Sequence, residues 1–273
     1  MTAAIETAPR LPELAPRVGP LQGLRQTLTL ARRVIIQVRH NPQELADQSF
    51  QPIIFTLLFT YVFGASIASD GDRQTYLQFM IPGMLAMNML FNSLYVGQGL
   101  NTDLAMGVFD RMRTLPIARW APLAGRILAD QLMQLWGIVL VFAVGLLLGF
   151  RPGNGVQGML AGTLLLLFFA LAFSWVAVLV GVASKNAQQV QVFGMAVVLP
   201  INFVSGTFAP VETMPTALQK FAEYTPVGNL LEASRGLING GPVATPLWWT
   251  VVWAVALVLI FAPLSIRSLN RKT

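Results

Sequence analysis

Six long stretches of the chain carry no Asp, Glu, Lys or Arg: residues 48–69, 74–102, 131–150, 152–184, 186–211 and 236–266. Each holds the roughly 20 apolar residues that a helix needs to cross a bilayer core of about 30 Å. Lipid offers the backbone no hydrogen-bond partners, so a lipid-facing segment must satisfy its own N–H and C=O groups as a helix. The pattern therefore predicts an all-α integral membrane protein with six transmembrane helices. They are expected at about 50–68, 77–100, 128–149, 159–183, 190–208 and 247–266.

Ahead of the first span the pattern changes to a helical period. Leu24, Leu28, Ala31, Ile35 and Val38 share one face, and Arg25, Arg32 and Arg39 recur seven apart beside it. An amphipathic helix over 21–39 is expected, with arginine stems snorkelling toward headgroups at the cytoplasmic interface. Packing on the protein's own cytoplasmic face is the alternative. Residues 1–20, with Pro9, Pro12, Pro16 and Pro20 and no apolar run, read as a disordered cytoplasmic tail, and 269–273 as a short one. One membrane domain, 21–268, takes up the rest.

Two connections are longer than a turn. In 101–126, Thr102 is a candidate N-cap with Asp103 in the first turn, and Arg111 and Arg113 fall in a last turn before Pro116. Leu104, Val108 and Phe109 share one side of such a helix, a form suited to docking in a groove of another protein. An ordinary basic cytoplasmic loop is the alternative, and composition alone favours it slightly. In 207–246, Met214, Leu218, Phe221 and Ala222, then Leu230, Leu231, Ala233, Leu237 and Ile238, predict two short apolar helices. They can dip back into the membrane only where protein or a water-filled cavity surrounds them. Gly145 and Gly149 in span 3 and Gly158 and Gly162 in span 4 have small-xxx-small spacing, which suggests that these two helices pack closely. Pro82 and Pro200 sit within spans, where each removes a backbone donor.

Only 11% of residues are charged and 55% are hydrophobic. The net charge of +6 does not point to nucleic acid, because of where it lies. With the N-terminus inside, Arg10, Arg17, Arg25, Arg32, Arg33, Arg39, Arg111, Arg113, Arg119, Arg126, Lys185, Arg267, Arg271 and Lys272 fall on one side. Arg73, Arg151, Lys220 and Arg235 fall on the other. Fourteen against four is the positive-inside asymmetry, and it places both termini in the cytoplasm.

Catalytic chemistry finds little support. No G-x-x-x-x-G-K-[ST] phosphate loop occurs, so ATP hydrolysis by that route needs a separate subunit. One histidine, His40, and no cysteine argue against a metal site. A serine protease built on Ser66 fails because His40 lies a full span away. An ion-coupled secondary transporter would place ionisable groups at mid-membrane, and these spans have essentially none. Asp130, at the start of span 3, is four residues from Arg126 and within reach of it.

The segment Gly107-Val-Phe-Asp-Arg-Met-Arg-Thr-Leu-Pro-Ile-Ala-Arg119, continuing to Leu123-Ala-Gly-Arg-Ile-Leu-Ala-Asp130, resembles the cytoplasmic loop of type-2 ABC exporter permeases, most of all the daunorubicin-resistance branch. Gln51-Pro-Ile-Ile-Phe, Phe208-Ala-Pro-Val-Glu-Thr-Met-Pro215, Tyr224-Thr-Pro-Val227 and Phe261-Ala-Pro-Leu-Ser-Ile-Arg267 agree with it in order. The resemblance implies a non-enzymatic permease subunit in a bacterial cytoplasmic membrane, paired with a second permease, expected to be a homodimer, and with two ATPase subunits that hold ATP and Mg. It implies an ATPase-coupling loop carried by Asp103, Leu104, Gly107, Val108, Phe109, Asp110, Arg111, Arg113, Leu115 and Pro116. It also implies re-entrant helices between spans 5 and 6.

With no charge at mid-depth, contacts to cargo fall to uncharged groups. Asn88, Asn92, Tyr95 and Gln98 follow one face of span 2, and Gln134 and Asn202 are the other polar exceptions. Hydrogen bonding between helices competes with cavity lining for all six. Amides among aromatics such as Phe55, Phe59, Phe91 and Phe203 suit hydrophobic or amphipathic cargo, drug-like first and lipid, glycolipid or polysaccharide second.

Overall fold

The computed structural model describes residues 25, 28, 29, 32, 36, 42–63, 73–108 and 121–272. Eight α-helices follow one another among these. They are α1 (Pro42–Leu58), which passes into a π-helical turn at Phe59–Phe63, α2 (Arg73–Ala105), α3 (Ala121–Leu147) and α4 (Gly155–Ala183). Then come α5 (Ala187–Val204), α6 (Thr216–Tyr224), α7 (Pro226–Asn239) and α8 (Ala244–Lys272), with a 3₁₀ turn Val211–Thr213 before α6. Five of them, α2, α3, α4, α5 and α8, are long and apolar enough to cross a membrane. The apolar part of α1 is shorter, Ser49–Val62, and the predicted first span continues into residues outside the described set. Arg25 and Arg32 are helical and exposed, as are Leu28 and Ile36, whereas Arg39 lies outside the described residues.

α2 is the centre of the fold. Leu77, Met80, Ile81, Met84, Leu85, Ala86, Met89 and Leu90 are all essentially buried, and a helix apolar all round is one surrounded by others. Its neighbours are α3, α4, α5 and α7. α8 lies against α4 and α7, and α1 leans on α3. The outer surface is apolar: Trp136, Val139, Leu164, Phe168, Phe193, Val197, Trp248, Leu259 and Ile260 are exposed. In water so much apolar surface would be a liability. In lipid it meets its own kind, as the charge-free stretches require.

Local chemistry sets the ends. α4 stops at Ser184, and α5 begins at once with a reciprocal cap, Gln189 N to Asn186 Oδ1 at 2.8 Å and Lys185 N to Gln189 Oε1 at 2.9 Å. α2 runs past its expected end at about 100, and Thr102 Oγ1 donates to Gln98 O at 3.0 Å within the same helix. Thr102 is therefore not the N-cap of a new helix. No proline or left-handed residue interrupts the chain until Gly107, at φ 64°, so the ladder continues to Ala105.

The paired glycines also act differently from expectation. Gly145 faces Ile81 and Phe150, and Gly149 takes a left-handed turn at φ 104° after α3. Gly158 and Gly162 lie against Leu237 and Ile238 of α7. They make room for α7, whose end lies over them, while α3 and α4 still touch beside it.

α7 is accordingly embedded. Val227, Leu230, Leu231, Ala233, Ser234 and Ile238 are buried. Its C-terminal carbonyls, which a helix leaves unpaired, are met from α4's approach: Asn154 Nδ2 donates to Leu237 O at 2.9 Å, and Asn154 N to Ile238 O at 3.1 Å. Asn239 Nδ2 donates to Gln78 O of α2 at 2.6 Å. At the opposite end of the bundle a second apolar cluster joins Val96, Leu100, Leu123, Ile127, Val178 and Val182, with Leu104 and Leu269 packed on it. The end of α8 thus lies on the same face as the 106–120 connection.

Candidate functional site

Three of the polar residues singled out in the spans, Asn88, Asn92 and Gln134, meet at the seam of α2 and α3. Asn92 Nδ2 donates to Asn88 Oδ1 at 2.9 Å. This pair rests on Gly137 of α3, where a Cβ would lie 2.5 Å from Asn88 Oδ1. Gln134 Nε2 donates to Met89 O at 3.1 Å and to Ser93 Oγ at 3.0 Å. Gln134 Oε1 is buried with no partner among the described residues. Asn88, Gln134 and Asn202 are buried, while Asn92, Tyr95 and Gln98 are half-buried. Asn202 is engaged apart from the seam: its Nδ2 donates to Val198 O at 2.8 Å, and its Oδ1 accepts from Thr207 Oγ1 at 3.4 Å.

A group of aromatics closes the space between α1 and the end of α5. Phe59 stacks on Phe208 with ring centroids 4.1 Å apart, Phe203 lies 4.8 Å from Phe208, and Phe55 lies 6.2 Å from Phe59. Phe55, Phe59 and Phe203 were expected to matter, but Phe208 was not. The π-helical turn begins at Phe59, a distortion often found at functional sites.

A second residue, which the sequence marked only as one of the cations on the side opposite the termini, is Arg235 of α7. Its guanidinium lies 3.8 Å from the centroid of the Phe79 ring. Nη2 donates to Gly206 O at 2.7 Å and Thr207 O at 3.4 Å, and Nε to Phe79 O at 3.3 Å. Burial lowers its pKa to about 10, with Glu232 and Glu212 pulling the other way, so it stays charged at neutral pH. Burial likewise raises the Glu232 carboxyl despite the nearby Arg235. The only hint in the chain was a cation within an apolar helical pattern.

The third feature is the pair of stems that carry the 106–120 connection. Arg126 Nη1 of α3 donates to Asp103 Oδ2 in the last turn of α2 at 2.5 Å. Arg126 therefore reaches across to another helix, where sequence spacing offered only Asp130. Asn101 Nδ2 donates to Gly181 O and Ser184 O at the end of α4, both at 2.9 Å. Of the loop residues implicated in coupling, Leu104 is half-buried against the neighbouring cluster, and Gly107 and Val108 follow the end of α2. Phe109, Asp110, Arg111, Arg113, Leu115 and Pro116 lie outside the described residues.

A bundle of five bilayer-length helices with an apolar exterior, a buried inserted helix and amide-bearing seams defines a multi-pass membrane protein. Residues 25–239 match the ABC-2 type transporter family, and the chain belongs to it. It is 36% identical to the daunorubicin resistance ABC transporter permease protein DrrB1 of Streptomyces coeruleorubidus over 246 residues, 90% of this chain and 86% of that one. It is 28% identical to the probable doxorubicin resistance ABC transporter permease protein DrrC of Mycobacterium tuberculosis over 88% of this chain and 87% of that one. With the inner membrane transport permease YadH of Escherichia coli it shares 26% identity, covering 77% and 83%.

Proposed function

We propose that this chain is the transmembrane permease subunit of an ATP-driven exporter that moves hydrophobic or amphipathic, drug-like compounds out of a bacterial cytoplasm or its inner leaflet. The observation that carries this reading is the 36% identity to a daunorubicin-resistance permease across nine-tenths of the chain. The energy comes from separate ATPase subunits that bind ATP and Mg, and the working unit is a homodimer with two such partners. Segment 103–116, including Phe109, docks on the ATPase from the cytoplasmic face, where both termini also lie.

α6 and α7 form the re-entrant pair at the opposite face. The environment of α7 supports this, since Asn154 donates to its C-terminal carbonyls and its own Asn239 and Arg235 donate to carbonyls of neighbouring segments. Cargo passes uncharged surfaces only. Asn88, Asn92, Tyr95 and Gln98, with Gln134 and Asn202 behind them, supply hydrogen bonds, and the phenylalanines supply apolar contact. ATP closure of the partners shifts the permeases between inward- and outward-open states by differential affinity for the two.

The test is transport of daunorubicin into inverted membrane vesicles that contain the chain together with its ATP-binding subunit. ATP-dependent accumulation, abolished when the nucleotide is left out, supports the reading. Uptake driven by an ion gradient and indifferent to ATP would overturn it, and accumulation of labelled lipid without daunorubicin would move the cargo to the lipid class.

A further inference from the structure

The stems of the 106–120 connection are joined by a built ionic seat. Asp103 stands in the last turn of α2, where the partial negative charge of a helix C-terminus disfavours an acid. What offsets this is Arg126 from α3, and the seat is shaped for it. A Cβ at Gly99, one turn before Asp103, would lie 1.4 Å from Arg126 Nη2 and 2.2 Å from its Cζ, so any other residue there displaces the guanidinium from this position. Both side chains are substantially covered, 20% exposed for Arg126 and 30% for Asp103. On its other side the same stretch of α2 is fastened to α4, through Asn101 and through the backbone contact of Gly97 with Gly181.

We propose that Arg126 is a positioning residue for energy coupling. Its bond to Asp103, seated on Gly99, makes the two stems of the loop a single rigid lever, so that force applied to the loop tilts α2 and α3 together. The proposal rests on the reading of this loop as the ATPase contact. Without the brace the loop can be pushed while its stems splay, and hydrolysis is spent without movement of the spans. Arginine suits the task better than lysine because its planar fork holds direction as well as charge.

The test uses the full chain assembled with its ATP-binding subunit. Because the chain has no cysteine, spin labels at Met106→Cys and Leu128→Cys report the stem-to-stem distance directly. Two variants remove the brace independently: Arg126→Gln takes away the charge, and Gly99→Ala blocks the seat. Both are expected to broaden the distance distribution and to lower daunorubicin moved per ATP hydrolysed by about five-fold, with Arg126→Lys recovering part of the loss. A broadened distance with unchanged transport per ATP overturns the proposal, leaving a purely structural pair. So does lost coupling with an unchanged distance. If the unsubstituted complex shows no ATP-dependent transport, the reading of function falls, while the distance measurement still decides whether the brace exists.

Discussion

At the scale of single residues, the fold depends on backbones brought into direct contact. A Cβ at Gly97 would lie 2.3 Å from Ala177 O, and one at Gly181 would lie 2.3 Å from Gly97 O. A carbonyl in a helix cannot swing aside, so α2 and α4 would have to separate. Gly97→Ala is expected to cost about 1–3 kcal/mol, the range for overpacking, read as a lower unfolding temperature in detergent. Gly162→Ala meets only the tip of Ile238, at 2.7 and 2.9 Å, and should cost less. The amides behave differently. Asn92→Leu removes one 2.9 Å bond within its own helix, at about 0.6 kcal/mol for an average intramembrane bond, so insertion and stability should persist. If the seam meets cargo, this variant shifts the resistance profile among substrates in growth assays. Unchanged export of every substrate tested would return the seam to a structural role.

At the scale of elements, the membrane made much of the architecture legible. Helices α3, α4, α5 and α8 contain nearly all of the expected spans, because lipid leaves charge-free segments no other form. The ends were harder to read. α2 outran its expected boundary because nothing between Gln98 and Ala105 ends a helix, and among the described residues the break falls at Gly107, in the left-handed region. The position of α7 was hidden for a different reason. Its anchors are backbone carbonyls, its own and those of other segments, and a carbonyl leaves no mark in the side-chain pattern. Arg235 is the clearest case: its hydrogen bonds go to three carbonyls and its face to a ring, none of which the side-chain pattern advertises. Arg235→Ala would leave Gly206 O short of its donor, at about 1–3 kcal/mol for an acceptor buried without replacement. Arg235→Lys should rescue poorly, since an ammonium lacks the fork that serves two directions. Limited proteolysis between α5 and α6 would report the loosened segment, and wild-type resistance of both variants would show that the anchor is dispensable.

At the scale of the whole molecule, orientation decides what every surface can meet, and charge bias is the argument for it. Fourteen basic residues against four is a strong asymmetry for a chain whose connections are short enough for the bias to act. The bundle gives a structural consequence. Leu269, at the end of α8, packs with Leu104 and Leu123 beside the 106–120 connection, so the end of the chain and that connection share one face. Lys220 in α6 belongs to the segment between α5 and α8, whose connections emerge at the opposite end. The absence of cysteine makes this testable with single substitutions. In intact cells a membrane-impermeant maleimide should label Lys220→Cys and leave Arg271→Cys unlabelled until the membrane is opened. The reversed pattern would invert the molecule, expose the 106–120 connection to the exterior and deprive an ATP-consuming partner of any cytoplasmic handle. Labelling of both positions in sealed cells would mean that α8, the one long apolar helix between them, does not cross. The two sites therefore test, in one experiment, the charge asymmetry and the crossing of α8, on which the proposed coupling from the cytoplasm depends.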